Sequence, residues 1–107
     1  MISKKMQQAF NEQINHEISS GYLYLSMAAY FGGTGFDGMA QWMHVQANEE
    51  YEHAMKFFNH ILEREGKVEL IEMPKPKVKW ATPLAAFQDA YKHEKFITSK
   101  ILSLIHI

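Results

Sequence analysis

The chain has 107 residues, 47% of them hydrophobic and 13% aromatic, with a formal net charge of -1 and no cysteine. That length suits one small domain with a packed core, and that composition excludes an extended disordered chain. Near-neutral charge supplies no field to gather nucleic acid or anionic lipid, and the missing thiols exclude disulfides, iron–sulfur clusters and thiolate zinc sites.

The start, Met1-Ile2-Ser3-Lys4-Lys5, is basic, but the polar run from Gln7 to Glu12 follows where a secretory signal needs an apolar stretch. No signal peptide and no membrane span are expected, and the thiol-free composition fits a reducing cytoplasm. From about Lys4 to Phe31 no proline intervenes, and Met6, Phe10, Glu17, Gly21, Tyr24, Ala28 and Phe31 recur at helical spacing. This predicts a first helix with Ser3 as its N-cap.

Gly32-Gly33-Thr34-Gly35 breaks that helix, and Asp37 is placed to cap a second. The second stripe reads Met39, Met43, Ala47, Glu50, Ala54, Phe57 and Ile61, and Gly66 is the expected C-terminal glycine. Residues 67 to 81 differ in kind: Pro74 and Pro76 alternate with Lys75, Lys77 and Lys79, so the segment reads as an extended, solvated linker. Thr82-Pro83 then opens a third helix, whose stripe is Phe87, Ala90, Glu94, Ile97, Ile101 and Leu104.

Linker length bears on topology. A short glycine turn makes the first two helices antiparallel neighbours, whereas an extended linker at about 3.1 Å per residue spans about 46 Å, close to the length of the first helix. The second and third helices therefore point the same way, as in a bundle with one long crossover. At about 1.5 Å per residue, Glu17, Glu50 and Glu94 then lie about 21, 20 and 17 Å along the bundle, at one level. His53 is one turn from Glu50 on the same face, and Tyr24 lies on the inner face of the first helix.

A lone Glu-x-x-His is common on solvated helix faces, but acids on core-facing stripes are costly unless something compensates them. Carboxylates with one imidazole suit a hard or borderline metal such as iron. A pair of such ions about 3.5–4 Å apart needs a bridging carboxylate, terminal ligands and open positions for an oxidant. Glu50 is the natural bridge, Glu17 and His53 complete one ion, Glu94 serves the second, and Tyr24 hydrogen-bonds or donates an electron from behind them. Glu49, rotated about 100° from Glu50, points to an accessory iron position. His16, His44, His60 and His93 fall off the acidic stripe and read as surface or helix-pair residues.

The runs from Met6 to Glu17, Tyr22 to Ala28 and Glu49 to Ala54 resemble bacterial non-haem ferritin, over residues 1 to about 101. The resemblance implies a ferritin-like four-helix bundle, of which the chain holds three helices, the third truncated. It also implies a 24-subunit homo-oligomeric shell in the full-length parent that oxidises Fe(II) with O2 or H2O2 and stores Fe(III) as mineral. Carried over by motif, Glu17, Glu50 and His53 form the first iron site, Glu50 and Glu94 half of the second, and Glu49 part of a third. The haem-ligand methionine of bacterioferritins would follow the bridging glutamate, where this chain has Tyr51, so no haem is expected. Rubrerythrins carry a cysteine-ligated iron domain, and mini-ferritins build their site between subunits; neither suits this chain.

Residues 102–107 depart from the family and resemble the translation of a transposase adapter, so they are expected to be a non-native tail on a partial di-iron domain of residues 1–101. Without a fourth helix, the apolar stripes of the first and third helices are expected to lie uncovered. The alternative readings are an inactive, self-associating helical fragment and another ferritin-like di-iron oxidoreductase of the peroxidase type.

Overall fold

The computed structural model describes residues 1–105, and its elements are α1 (Lys4–Gly33), α2 (Asp37–Glu63) and α3 (Pro83–Ile105), with no strand among the described residues. The all-α expectation holds. The helices form a rod of 49 × 21 × 21 Å.

α1 begins where the Ser3 hydroxyl accepts from the Met6 amide at 3.1 Å. It runs two residues past Phe31, because the left-handed residue that stops it is Gly35 at φ 84°. The Phe36 amide then donates to the Phe31 carbonyl at 2.9 Å and the two rings pack edge to face, which completes a Schellman stop. Asp37 is not the cap of α2 but its first helical residue, where its charge favours the helix N-terminus.

α2 stops with the same bond pattern, Gly66 amide to Ile61 carbonyl at 2.9 Å and Glu65 amide to Leu62 carbonyl at 3.1 Å. Here Glu65, not a glycine, takes the left-handed conformation at φ 59°. Gly66 is needed for space: a Cβ there would come within 2.8 Å of side-chain methyls of Ile2 and Ile61. At α3 the expected cap is present, with the Thr82 hydroxyl accepting from the Ala85 amide at 3.1 Å.

The linker is extended, as expected, but it is docked. The Asn11 and Asn15 side chains act as a ladder: their amide groups donate to the Lys67 and Glu69 carbonyls at 2.9 and 3.0 Å, and their oxygens accept from the Glu69 and Ile71 amides at 2.8 and 3.2 Å. Gln7 accepts from the Lys67 amide and Ser26 donates to the Lys77 carbonyl, so the linker climbs α1 from end to end. This places α2 and α3 parallel to each other and antiparallel to α1. At the top, Trp80 is buried beside Tyr30, and its indole N–H donates to Asp89 at 2.6 Å.

The core has two parts. Tyr24, Met27, Ala28, Phe31 and Met43 join Trp80, Ala86 and Ala90 at one end, while Phe10, Ile14, Ala54 and Ile61 of α1 and α2 pack at the other, with Ile2 and Val68 against them. Among the described residues no Cα of α2 lies within 8 Å of one of α3; the two helices flank α1 and leave the fourth corner of the bundle open. The expected uncovering of the first stripe does not occur, because α2, α3 and the linker bury it. The large apolar side chains left exposed include Trp42, Tyr51 and Leu62 on α2 and Leu84, Tyr91 and Leu102 on α3. α3 continues unbroken past position 101 to Ile105, and residues 106 and 107 of the expected tail lie outside the described residues. None of the described helices is long and apolar enough to cross a membrane.

Candidate metal centre

Where the two cores meet, α1 and α2 bring Glu17, Glu50 and His53 together, each offering a ligand atom within 4.8 Å of the others. The approach is close because Gly21, one turn above Glu17, faces α2 without a side chain; a Cβ there would sit 3.2 Å from the Ala47 carbonyl and 3.5 Å from the Glu50 Cβ. His53 Nδ1 stands 3.6 Å from Glu17 Oε2 and 3.7 Å from Glu50 Oε2. These separations match the spacing of ligands about 2.1 Å from one shared ion.

Burial sharpens the point. Glu17 is wholly buried, and its Oε2 and that of Glu50 have no hydrogen-bond partner. A buried carboxylate oxygen without a donor costs roughly 1–3 kcal/mol or more, so two of them aimed at one imidazole mark a position for a cation or proton. In the metal-free chain the proton answers: burial first, then the neighbouring Glu17 and Glu94, push the Glu50 carboxyl up to about 9. His53 is 47% exposed and forms the solvent side of the group.

Glu94 enters from α3 on the far side. The buried Tyr24 hydroxyl donates to Glu94 Oε1 at 2.6 Å, and burial followed by that bond holds the phenol well above its usual range, so it stays neutral. Glu94 is itself exposed and lies outside the three-residue group, though close enough to act on Glu50. Glu49 is exposed on α2 and also lies outside the group.

The other histidines take helix-pair or surface positions. His93 meets Ser20 at 3.2 Å, His16 packs edge-on to Phe96, His60 packs on Phe10, and His44 is exposed. Burial lowers the pKa of His93. Sequence reasoning missed Gln13, fully buried one turn before Glu17, whose amide donates to Glu17 Oε1 at 3.0 Å. The signal was present: Gln13 and Glu17 are four residues apart on one helix face.

The ferritin-like domain family matches residues 7–107. The chain belongs to the ferritin family. This ferritin chain is 39% identical over 107 residues to the bacterial non-heme ferritin of Bacteroides fragilis, covering all of itself and 67% of that relative. It is 36% identical over 105 residues to the Campylobacter jejuni protein of the same name, covering 98% of itself and 63% of the relative. In three dimensions it superposes on an open pore ferritin from Archaeoglobus fulgidus with a TM-score of 0.95 at 49% identity, over 99% of this chain and 65% of that one. The ferritin chain thus spans about two thirds of the length of these relatives.

Proposed function

We propose that the chain carries the ferrous-oxidising centre of an iron-storage ferritin. The observation that carries this reading is the convergence of two orphaned, buried carboxylate oxygens, on Glu17 and Glu50, upon His53 Nδ1. Family membership supports iron as the ion. Iron is the substrate here, not a resident cofactor.

Glu17 and His53 hold the first Fe(II) with Glu50, and Glu50 reaches toward a second ion that Glu94 serves. Tyr24 fixes Glu94 through its hydroxyl, and Glu49 belongs to a separate accessory position. Each Fe(II) gives up one electron; O2 takes two such electrons with two protons and leaves as H2O2. With H2O2 as oxidant, the same electrons and protons break the O–O bond and yield two waters. Binding of the ion displaces the proton that Glu50 holds, which removes the cost of the orphaned oxygens.

In the full-length parent the Fe(III) passes to a mineral core within a homo-oligomeric shell in the cytoplasm, without haem. Exposed Tyr51 occupies the position a haem-ligand methionine would need, and neutral tyrosine is a poor axial ligand. Anaerobic titration with Fe(II), followed by admission of air, tests the central claim. Stoichiometric binding and then a ferric absorbance rise are expected; binding no stronger than in Glu17→Ala refutes it.

The open corner favours a second reading for the chain by itself, in which apolar α2 and α3 side chains draw two copies together. Light scattering separates the cases: a monodisperse, well-ordered monomer of 12.4 kDa excludes self-association.

A further inference from the structure

We propose that Gln13 is a positioning residue for the ion site, holding one oxygen of the Glu17 carboxylate so that only the other is free to bind a cation. This rests on reading Glu17, Glu50 and His53 as that site. Gln13 is 1% exposed, and burying a primary amide is costly unless it is hydrogen-bonded. The bond its Nε2 makes is to Glu17 Oε1, at 3.0 Å, and is buried.

The terminal torsion of a glutamate is broad and nearly two-fold, so an unheld carboxylate presents either oxygen, or both, to an ion. The Gln13 amide removes that freedom. With Oε1 engaged, Oε2 is left facing His53 Nδ1 at 3.6 Å with no donor of its own. Glu17 is thereby prepared to bind through one oxygen, in one orientation, before an ion arrives.

The chemistry of the donor matters as much as its place. A lysine there would hold the carboxylate by charge and repel the ion, whereas a neutral amide orients the oxygen without opposing a cation. Both partners lie on α1 four residues apart, so the device needs neither α3 nor the open corner. Partners that orient metal ligands in this way typically carry about 10- to 100-fold in metal affinity.

The test is anaerobic Co(II) titration of the full chain, read by the d–d absorption bands, for wild type, Gln13→Met and Glu17→Ala. Gln13→Met keeps length and bulk but loses the donor. Its Co(II) affinity should fall about 10- to 100-fold and its bands should shift, as Glu17 becomes free to use both oxygens, and its metal-free melting temperature should also fall, since Glu17 Oε1 loses its donor. A merely structural role predicts a lower melt alone, with affinity and bands unchanged when measured well below the midpoint. That result overturns the proposal. Should the thioether variant not fold, Gln13→Leu is read by the same bands.

The failures are distinguishable. If Glu17→Ala loses Co(II) while Gln13→Met binds like wild type, the role of Gln13 alone falls. If Glu17→Ala binds like wild type, the site has been misread and the proposal falls with it.

Discussion

The two ends of the rod are built differently. At the end where α1 stops, the buried residues Phe31, Met43, Trp80 and Ala86 come from all three helices and the linker, which together close the core. At the other end the buried residues Phe10, Ile14, Ala54 and Ile61 come from α1 and α2, with Ile2 and Val68 packed against them, and a cavity of about 360 Å³ lined by Phe10, Glu17, His53, Phe57, His60 and Ile101 lies at the open corner. The proposed ion site sits on this border. Its buried carboxylates take their desolvation from the closed side, and His53 takes its exposure from the open side. A site that must dehydrate an incoming ion and yet admit it needs both.

The contrast is tested most severely by cavities. Phe31→Ala, at a wholly buried position of the closed end, should cost about 3–5 kcal/mol in urea unfolding, whereas Phe57→Ala, half-buried beside the open corner, should cost about 1 kcal/mol. Equal losses would mean that both ends are packed alike.

At the border itself, if Glu50 binds iron as proposed, Glu50→Ala should slow ferrous oxidation on the order of 100-fold or more, since a direct ligand outweighs its supporting partners. Glu52→Ala, exposed and off that face, is the control and should leave the rate within about twofold. Stopped-flow ferric absorbance measures both, and equal rates would remove Glu50 from the reaction.

A smaller effect separates the α3 side of the site from the α1 and α2 side. Tyr24→Phe loses the 2.6 Å bond to Glu94 and leaves the side chains of Glu17, Glu50 and His53 unchanged. Oxidation should fall about tenfold with the affinity for the first ion unchanged; a loss of first-ion affinity would show that the two sides are not independent.

The mildest test is a slope. With chelator present, folded Glu50 keeps its proton up to about 9, whereas in the unfolded chain the group ionises near 4.5. Between those values the folded state binds more protons, so stability from this group is full below about pH 4.5 and is lost as pH rises toward about 9. Glu50→Gln, neutral throughout, should flatten that part of the urea-midpoint profile. An unchanged slope would assign the pH dependence to other groups.

Three helices, a long crossover and one level for Glu17, Glu50 and Glu94 were legible in the sequence because helical periodicity and rise per residue are local properties of the chain. Ser3 and Thr82 were legible as caps for the same reason. Gly66 was misjudged by one position because the stop is set by which carbonyl the returning amide reaches, at a place crowded by Ile2 and Ile61, and Asp37 because Phe36, tied back to the Phe31 carbonyl, takes the cap position instead.

Other features depend on contacts between segments far apart in sequence. The Asn11 and Asn15 ladder looks like ordinary helix polarity until the linker lies against it, and Trp80 looks like a linker residue until Asp89 and Tyr30 enclose it. Residue types and periodicity determined that the chain forms an all-α, ferritin-like bundle with acids and an imidazole at one height. Only the tertiary structure decided which carboxylate oxygens are stripped of water and left without a donor, since desolvation depends on what the other helices cover and what the open corner leaves wet.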